Sequence, residues 1–293
     1  MVQERDGVYT AGGSDVWRSL KQSRLTLAGI VLLAIFAGAA VFAGLLAPRD
    51  PLKTSDETFQ APSIKFLFGT DDLGRDVFSG VIHGARTSVS IGIAVALLSG
   101  ALGVLVGATA GYAGGLVEDL LMRLTELFLI PPRFFLALIV AAIFGSSFFV
   151  LVLILSVTFW PLTARLVRAE VLSLKERSFV EAARAMGASH ARILWHEILP
   201  NASPLIITNV TLKVGSVILV EAGLEFIGLG DTGHISWGYM LHNGQHFVRD
   251  AWWIIFFPTL AVSLLVFALN VVGDALNRAL DPKSATDYLN KAA

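Results

Sequence analysis

Glu170-Val-Leu-Ser-Leu-Lys-Glu-Arg-Ser-Phe-Val-Glu-Ala-Ala-Arg-Ala-Met-Gly-Ala-Ser-His-Ala-Arg-Ile-Leu-Trp-His-Glu-Ile-Leu-Pro200 is a polar run set between two long apolar ones. Within it Ser178 and Glu181 have capping-box spacing, in which a hydroxyl and a carboxylate each satisfy an orphan amide, so a helix is predicted to begin there. Gly187 stands where a short helix needs a left-handed residue to stop, and Pro200, with no amide to donate, is predicted to end a second helical stretch. The run therefore reads as short helix, turn, second helix. Ala182, Ala183 and Ala185 keep the first helix slim enough to lodge in a groove of another protein.

The chain on either side is apolar. Of 293 residues 55% are hydrophobic and 15% charged, and the mean hydropathy of +0.69 is far from the balance of a soluble domain. A hydrocarbon core of ~30 Å takes ~20 apolar residues as helix. Six such runs occur, at 25–47, 85–110, 116–144, 148–167, 204–229 and 252–276. The first is too long for a signal-peptide core of ~7–15 residues and is read as a retained span. Six spans put alternate loops on opposite sides. Arg5, Arg18, Lys21 and Arg24 then share a side with Arg168, Lys175, Arg177, Arg184 and Arg192, and with Arg278, Lys283 and Lys291. That side is predicted to be cytoplasmic, with both termini on it. The acidic segment 48–84 faces outward, and Trp17, Trp237, Trp252 and Trp253 are placed near interfaces. The predicted organisation is a cytoplasmic tail 1–24, a first span 25–47, an extracytoplasmic segment 48–84, a five-helix core 85–276 containing the loop 170–200, and a cytoplasmic tail 277–293. The fold class is all-α and polytopic.

Gly103, Gly107, Gly111 and Gly115 lie four apart, with Gly92, Ala96 and Gly100 on a neighbouring row, a pattern that lets helix backbones approach in lipid. Charges within spans are costly, so each marks a candidate pathway or a buried pair. Asp119, Arg123, Glu126 and Arg133 fall within about a quarter of a helix circumference, with Pro131-Pro132 freeing carbonyls beside them. Lys213 lies near mid-membrane and Glu221 and Glu225 one turn apart toward the outside; Asn270 and Asp274 pose the same question. The candidate pathway set is Glu126, Arg133, Lys213, Glu221 and Glu225. His242, His246 and Asp250 recur every four residues, candidates for a metal-binding helix face, with ordinary interfacial histidines the plainer reading. With no cysteine in the chain, thiolate chemistry is excluded, and the net charge of −1 offers no field for nucleic acid. No Gly-x-x-x-x-Gly-Lys-[Ser/Thr] loop occurs, so no nucleotide site is recognisable and no catalytic residue is assigned.

Glu181-Ala182-Ala183, then Gly187, then Leu199-Pro200 resemble the EAA loop of permease subunits of binding-protein-dependent ATP-binding-cassette importers. Gly69-Thr-Asp-Asp-Leu-Gly-Arg-Asp-Val-Phe-Ser-Gly-Val-Ile-His-Gly-Ala-Arg-Thr-Ser88 is similar to a segment of the dipeptide, oligopeptide and nickel family, specifically its C-type subunit. So are Glu225-Phe-Ile-Gly-Leu-Gly230 and Ser236-Trp-Gly-Tyr-Met-Leu241. The resemblance implies a type I importer permease fold, with Ser178, Glu181, Ala182, Ala183, Gly187, Leu199 and Pro200 coupling to an ATPase. It implies as partners a second homologous permease, two ATP-binding subunits carrying ATP and Mg, an extracytoplasmic substrate-binding protein and membrane lipid. It implies no cofactor and no catalysis in this chain, and di- or oligopeptides, or nickel, as solute. The alternative is an ion-coupled secondary transporter using Asp119, Glu126, Glu221 and Glu225 as a relay.

Overall fold

The computed structural model describes residues 23–231 and 233–280. Arg5, Trp17, Arg18, Lys21, Lys283 and Lys291, and with them the sidedness expected of both tails, lie outside the described residues.

Among the described residues the chain is helical, with one isolated bridge, Thr70 to Asp76, and no strand. The helices are α1 (Arg24–Val41), α2 (Ala43–Leu46), α3 (Val77–Ala113), α4 (Gly115–Leu129), α5 (Arg133–Phe144), α6 (Phe148–Lys175), α7 (Ser178–Ala185), α8 (His190–Arg192), α9 (Leu199–Phe226), α10 (Trp237–Gly244) and α11 (Trp253–Leu280). A π-helical stretch, Ile193–Ile198, joins α8 to α9. Five are long and apolar enough to cross a bilayer: α1, α3, α6, the run from α8 through α9, and α11. A sixth crossing is counted if α4 and α5 form one broken span.

That pair departs from the expected third span. α4 and α5 are bent by 82° across Ile130, Pro131 and Pro132, because two consecutive prolines remove two amide donors and clash with the preceding turn. Arg133 thereby starts a new helix. The polar face expected from Asp119 through Arg133 is split: Asp119, Arg123 and Glu126 share one exposed face of α4 at i, i+4 and i+7, while Arg133 starts α5 and lies over Phe159.

α3, with 37 residues, is ~55 Å long at 1.5 Å per residue and so exceeds the hydrocarbon core. Asp76 caps it, accepting from Ser79 N at 2.9 Å, and Gly114 ends it at φ +70°. The two rows of small residues are its contact faces. A Cβ at Gly107 would run into the Ala164 backbone of α6, and one at Gly100 would meet Val210 of α9. Gly115 lies beyond the row, at the start of α4. The core follows this line, with Ile91, Val95, Leu151, Leu155, Phe159, Val217 and Leu224 buried together. Leu97, Leu120, Ile139 and Phe149 point out from the bundle, as lipid-facing side chains do.

Trp252 is exposed, while Trp237 and Trp253 are buried within the protein. Each of these two indoles has a burial partner, Trp237 donating to the Val81 carbonyl at 2.9 Å and Trp253 to the Thr70 carbonyl at 3.0 Å. These bonds tie segment 48–84 to α10 and α11. In that segment Arg75 Nε lies 2.6 Å from Asp71 Oδ2.

Candidate functional site

The polar run that opens the sequence forms one end of the bundle. α7 begins at Ser178, as predicted, but by a different device. Arg177 is the N-cap, with no side-chain capping bond, so Ser178 is already helical and the Ser178–Glu181 box does not form. The C-terminus matches expectation. Gly187 has φ +77°; its amide donates to the Arg184 carbonyl at 2.9 Å and that of Ala188 to the Ala183 carbonyl at 3.0 Å. This double bond pattern is a Schellman cap, and Ala188 supplies its apolar contact.

The cap fixes which face of α7 is free. Val180 and Ala183 are buried against Val171, Ile193 and Ile198, while Glu181, Ala182, Arg184, Ala185 and Met186 are exposed. Met186 is 82% exposed and Trp195 of the following stretch 52%, an apolar edge at the polar end of the chain. Lys175 Nζ donates to the Tyr112 carbonyl at 2.9 Å, and Tyr112 Oη lies 3.0 Å from His190 Nδ1, binding the loop to the end of α3.

Pro200 does not end a helix, as expected from its missing amide; it sits at the first turn of α9, which continues through Pro204 to Phe226. The π-helical turns before it are wider than α-helical ones and relieve the ring's clash with the preceding carbonyl. Leu199 is buried and Pro200 exposed.

Inside the bundle Lys213 of α9 is buried, with Nζ 2.5 Å from Thr163 Oγ1 of α6 and 3.2 Å from Ser99 Oγ of α3. Thr163 Oγ1 in turn donates to Asn209 Oδ1 at 2.9 Å. Ser99, Thr163 and Asn209 escaped sequence reasoning because hydroxyls on apolar helices look like helix filler until a neighbour is known.

Glu221 and Glu225 lie on α9 with their side chains closed off between α3 and α10, at 0% and 2% exposure. Glu221 accepts from Ser88 of α3 at 3.3 Å. Glu225 accepts from Ser236 Oγ and, at 3.2 Å, from Tyr239 N, holding the N-terminus of α10. Ser236 carried a legible signal, a serine directly before a helical apolar pattern. The carboxylates of the alternative relay are not assembled: Asp119 and Glu126 are exposed on α4 and the other two buried on α9.

His242, His246 and Asp250 do not share one helix face, because α10 ends at Gly244 and a 3₁₀ turn, Gln245–Phe247, follows. His242 Nδ1 lies 2.9 Å from the Phe226 carbonyl. Among the described residues no group of three or more metal-ligating side chains gathers. A cap that the sequence hides is Asp231, whose Oδ2 accepts from Phe148 N, the start of α6, at 3.0 Å across 83 positions.

Residues 103–286 match the family described as binding-protein-dependent transport system inner membrane component, and residues 13–62 match the N-terminal TM domain of oligopeptide transport permease C. The dipeptide transport system permease protein DppC of Alkalihalophilus pseudofirmus is 37% identical over 273 residues, covering 92% of this chain and 89% of that one. The protein of the same description from Bacillus subtilis is 38% identical over 272 residues, covering 92% and 85%. Among solved structures, an inward-facing conformation of the MetNI methionine ABC transporter aligns with a TM-score of 0.56 at 19% identity, over 69% of this chain and 96% of that one, and so shares the fold. A family match over most of the chain, relatives above 30% identity over nine-tenths of it and an all-helical bundle agree. The protein is a multi-pass inner-membrane transport subunit, not an enzyme, and it belongs to the binding-protein-dependent ABC importer permeases, which work with an ATPase and a substrate-binding protein.

Proposed function

We propose that this chain forms part of the path by which di- and oligopeptides enter the cell. The observation that carries the reading is the run of relatives named for dipeptide transport, two of which align over 92% of the chain. In this reading the complex holds a second, homologous permease, two ATP-binding subunits with ATP and Mg, and an extracytoplasmic binding protein. Both tails and α7 face the cytoplasm.

The exposed face of α7, with Glu181, Ala182 and Met186, then docks in a groove of the ATPase. Val180 and Ala183 hold the helix to the bundle, and Gly187 sets where it stops. Ser178 starts α7, and Leu199 and Pro200 start α9, so a displacement of α7 passes through the π-helical stretch into a spanning helix. Nucleotide binding biases the bundle between inward- and outward-facing states by acting on α7 differently in each.

Reconstitution of the four-subunit complex with its binding protein in proteoliposomes tests this. ATP-dependent accumulation of a labelled dipeptide, lost when the ATPase subunits are inactivated, is the expected result. Uptake that persists without ATP and collapses with an ion gradient would overturn it in favour of an ion-coupled carrier.

A further inference from the structure

Two cations, half-buried Arg133 at the start of α5 and buried Lys213 on α9, have no acid partner among the described residues. Arg133 makes no ion pair or hydrogen bond among the described residues; its guanidinium lies 4.8 Å from the ring centre of Phe159 on α6. Lys213 bonds Thr163, one turn further along the same helix, and Ser99. Both hydroxyls direct their own protons elsewhere, Thr163 to Asn209 and Ser99 to the Ala96 carbonyl, so they act on Lys213 only as neutral acceptors, and one of its three N–H groups is left over. Both cations therefore approach the same face region of α6, one turn apart, at Phe159 and Thr163. Lys213 is 8% exposed, and taking an ion from water without a counter-charge costs several kcal/mol, so its position calls for an anion that the described residues do not supply.

Two further features fit such an anion. α5 opens at Arg133 with no capping side chain, so its first amides and the positive end of its dipole add to the two charges. One turn on, Leu136 lines an apolar hollow of about 360 Å³ with Phe128, Val140, Ile154, Val157 and Thr158. Leu136 follows Arg133 by three positions on α5, and Thr158 adjoins Phe159 on α6, so the hollow and the Arg133 position share one α5–α6 seam. A cationic station next to an apolar hollow suits a solute with a carboxylate at one end and a hydrocarbon side chain beside it. The guanidinium fork matches a carboxylate bidentately, and the ammonium serves as a point charge.

We infer that Arg133, Lys213 and the N-terminus of α5 form a transit station for the free carboxylate of a peptide, with the hollow at Leu136 receiving an adjacent side chain. The inference rests on the permease reading above and narrows its solute to carboxylate-bearing molecules; a bare divalent cation such as nickel would be repelled here.

Because the chain has no cysteine, Leu136→Cys gives this chain a single reporter without disturbing either cation, and the complex lacking the substitution sets the background. In the full complex, already shown to accumulate dipeptide, the rate at which a water-soluble methanethiosulfonate modifies the introduced thiol is measured with a dipeptide and with its C-terminal amide, in the absence of binding protein. One charge-assisted bond corresponds to about a ten-fold effect, so the free dipeptide should slow modification by that factor and the amide much less. Arg133→Gln and Lys213→Gln should each remove the difference, and Arg133→Lys should keep part of it. Equal protection by peptide and amide overturns the carboxylate assignment. No modification in any nucleotide state means that another chain covers the position, and overturns the station. Where a glutamine variant fails to assemble with the ATPase, the peptide-against-amide comparison in Leu136→Cys alone decides. Loss of ATP-driven uptake by the unsubstituted complex would instead sink the permease reading.

Discussion

Gly187→Val isolates what the end of α7 contributes. Nothing lies within 4 Å of a Cβ built at Gly187, so the added side chain meets open space and the whole effect comes from the backbone, held at φ +77°. An L-residue in the left-handed region is strained by roughly 1–2 kcal/mol, and a β-branched one belongs at the upper end. At ~2 kcal/mol the capped turn loses about thirty-fold in population against an uncapped one. The Gly187-to-Arg184 and Ala188-to-Ala183 bonds and the Ala188 contact go together, so α7 would no longer be held at one angle to the bundle. The assay is dipeptide accumulated per ATP hydrolysed in the reconstituted complex, with membrane insertion followed separately. Gly187→Val should insert normally and lower that ratio by about an order of magnitude. Gly187→Asn should stay near the parent, because asparagine tolerates this region, and Gly187→Ala should fall between. Normal coupling in the valine variant, or equal failure of the asparagine one, would refute the account.

Three other substitutions probe the frame. Gly107→Val would push α3 from the Ala164 backbone, and overpacking of ~1–3 kcal/mol should appear as a lower Tm in detergent with no change in peptide selectivity. Asp71→Ala strands Arg75, whose guanidinium burial would otherwise disfavour but which Asp71 and Tyr239 keep firmly charged; a loss of about 2–4 kcal/mol is expected by thermal or urea unfolding. Burial alone would raise the Asp231 carboxyl, but the Gly233 and Phe148 amides and the His234 ring outweigh it and hold it below its ordinary value. Its stabilisation is therefore full above the unfolded value of about 3.9 and disappears as pH falls through the lower folded value. A pH series of Tm should show the acid limb flattened in Asp231→Asn; an unchanged limb would mean that this cap is without weight.

The sequence by itself determined the properties that depend on one segment at a time. Run length and hydropathy placed spans where helices are found, because a bilayer demands roughly 20 apolar residues whatever surrounds them. Gly187 was legible because the left-handed end of a short helix is a local backbone requirement. The glycine rows of α3 announced a close contact, though not that one row meets α6 and the other α9. Only the tertiary structure could decide what lies across a gap. Lys213 met Thr163 and Ser99 from two other helices, Asp231 capped a helix 83 positions away, and Glu225 accepted from Tyr239 N at the start of α10. Pro131-Pro132 marked a break, but its 82° angle, which brings Arg133 over Phe159, depends on what the second half packs against. Pro200 was misjudged for a related reason: a proline ends a helix only where the preceding turn is too tight for its ring, and the width of that turn is set by the packing of Ile193 and Ile198 rather than by the proline itself.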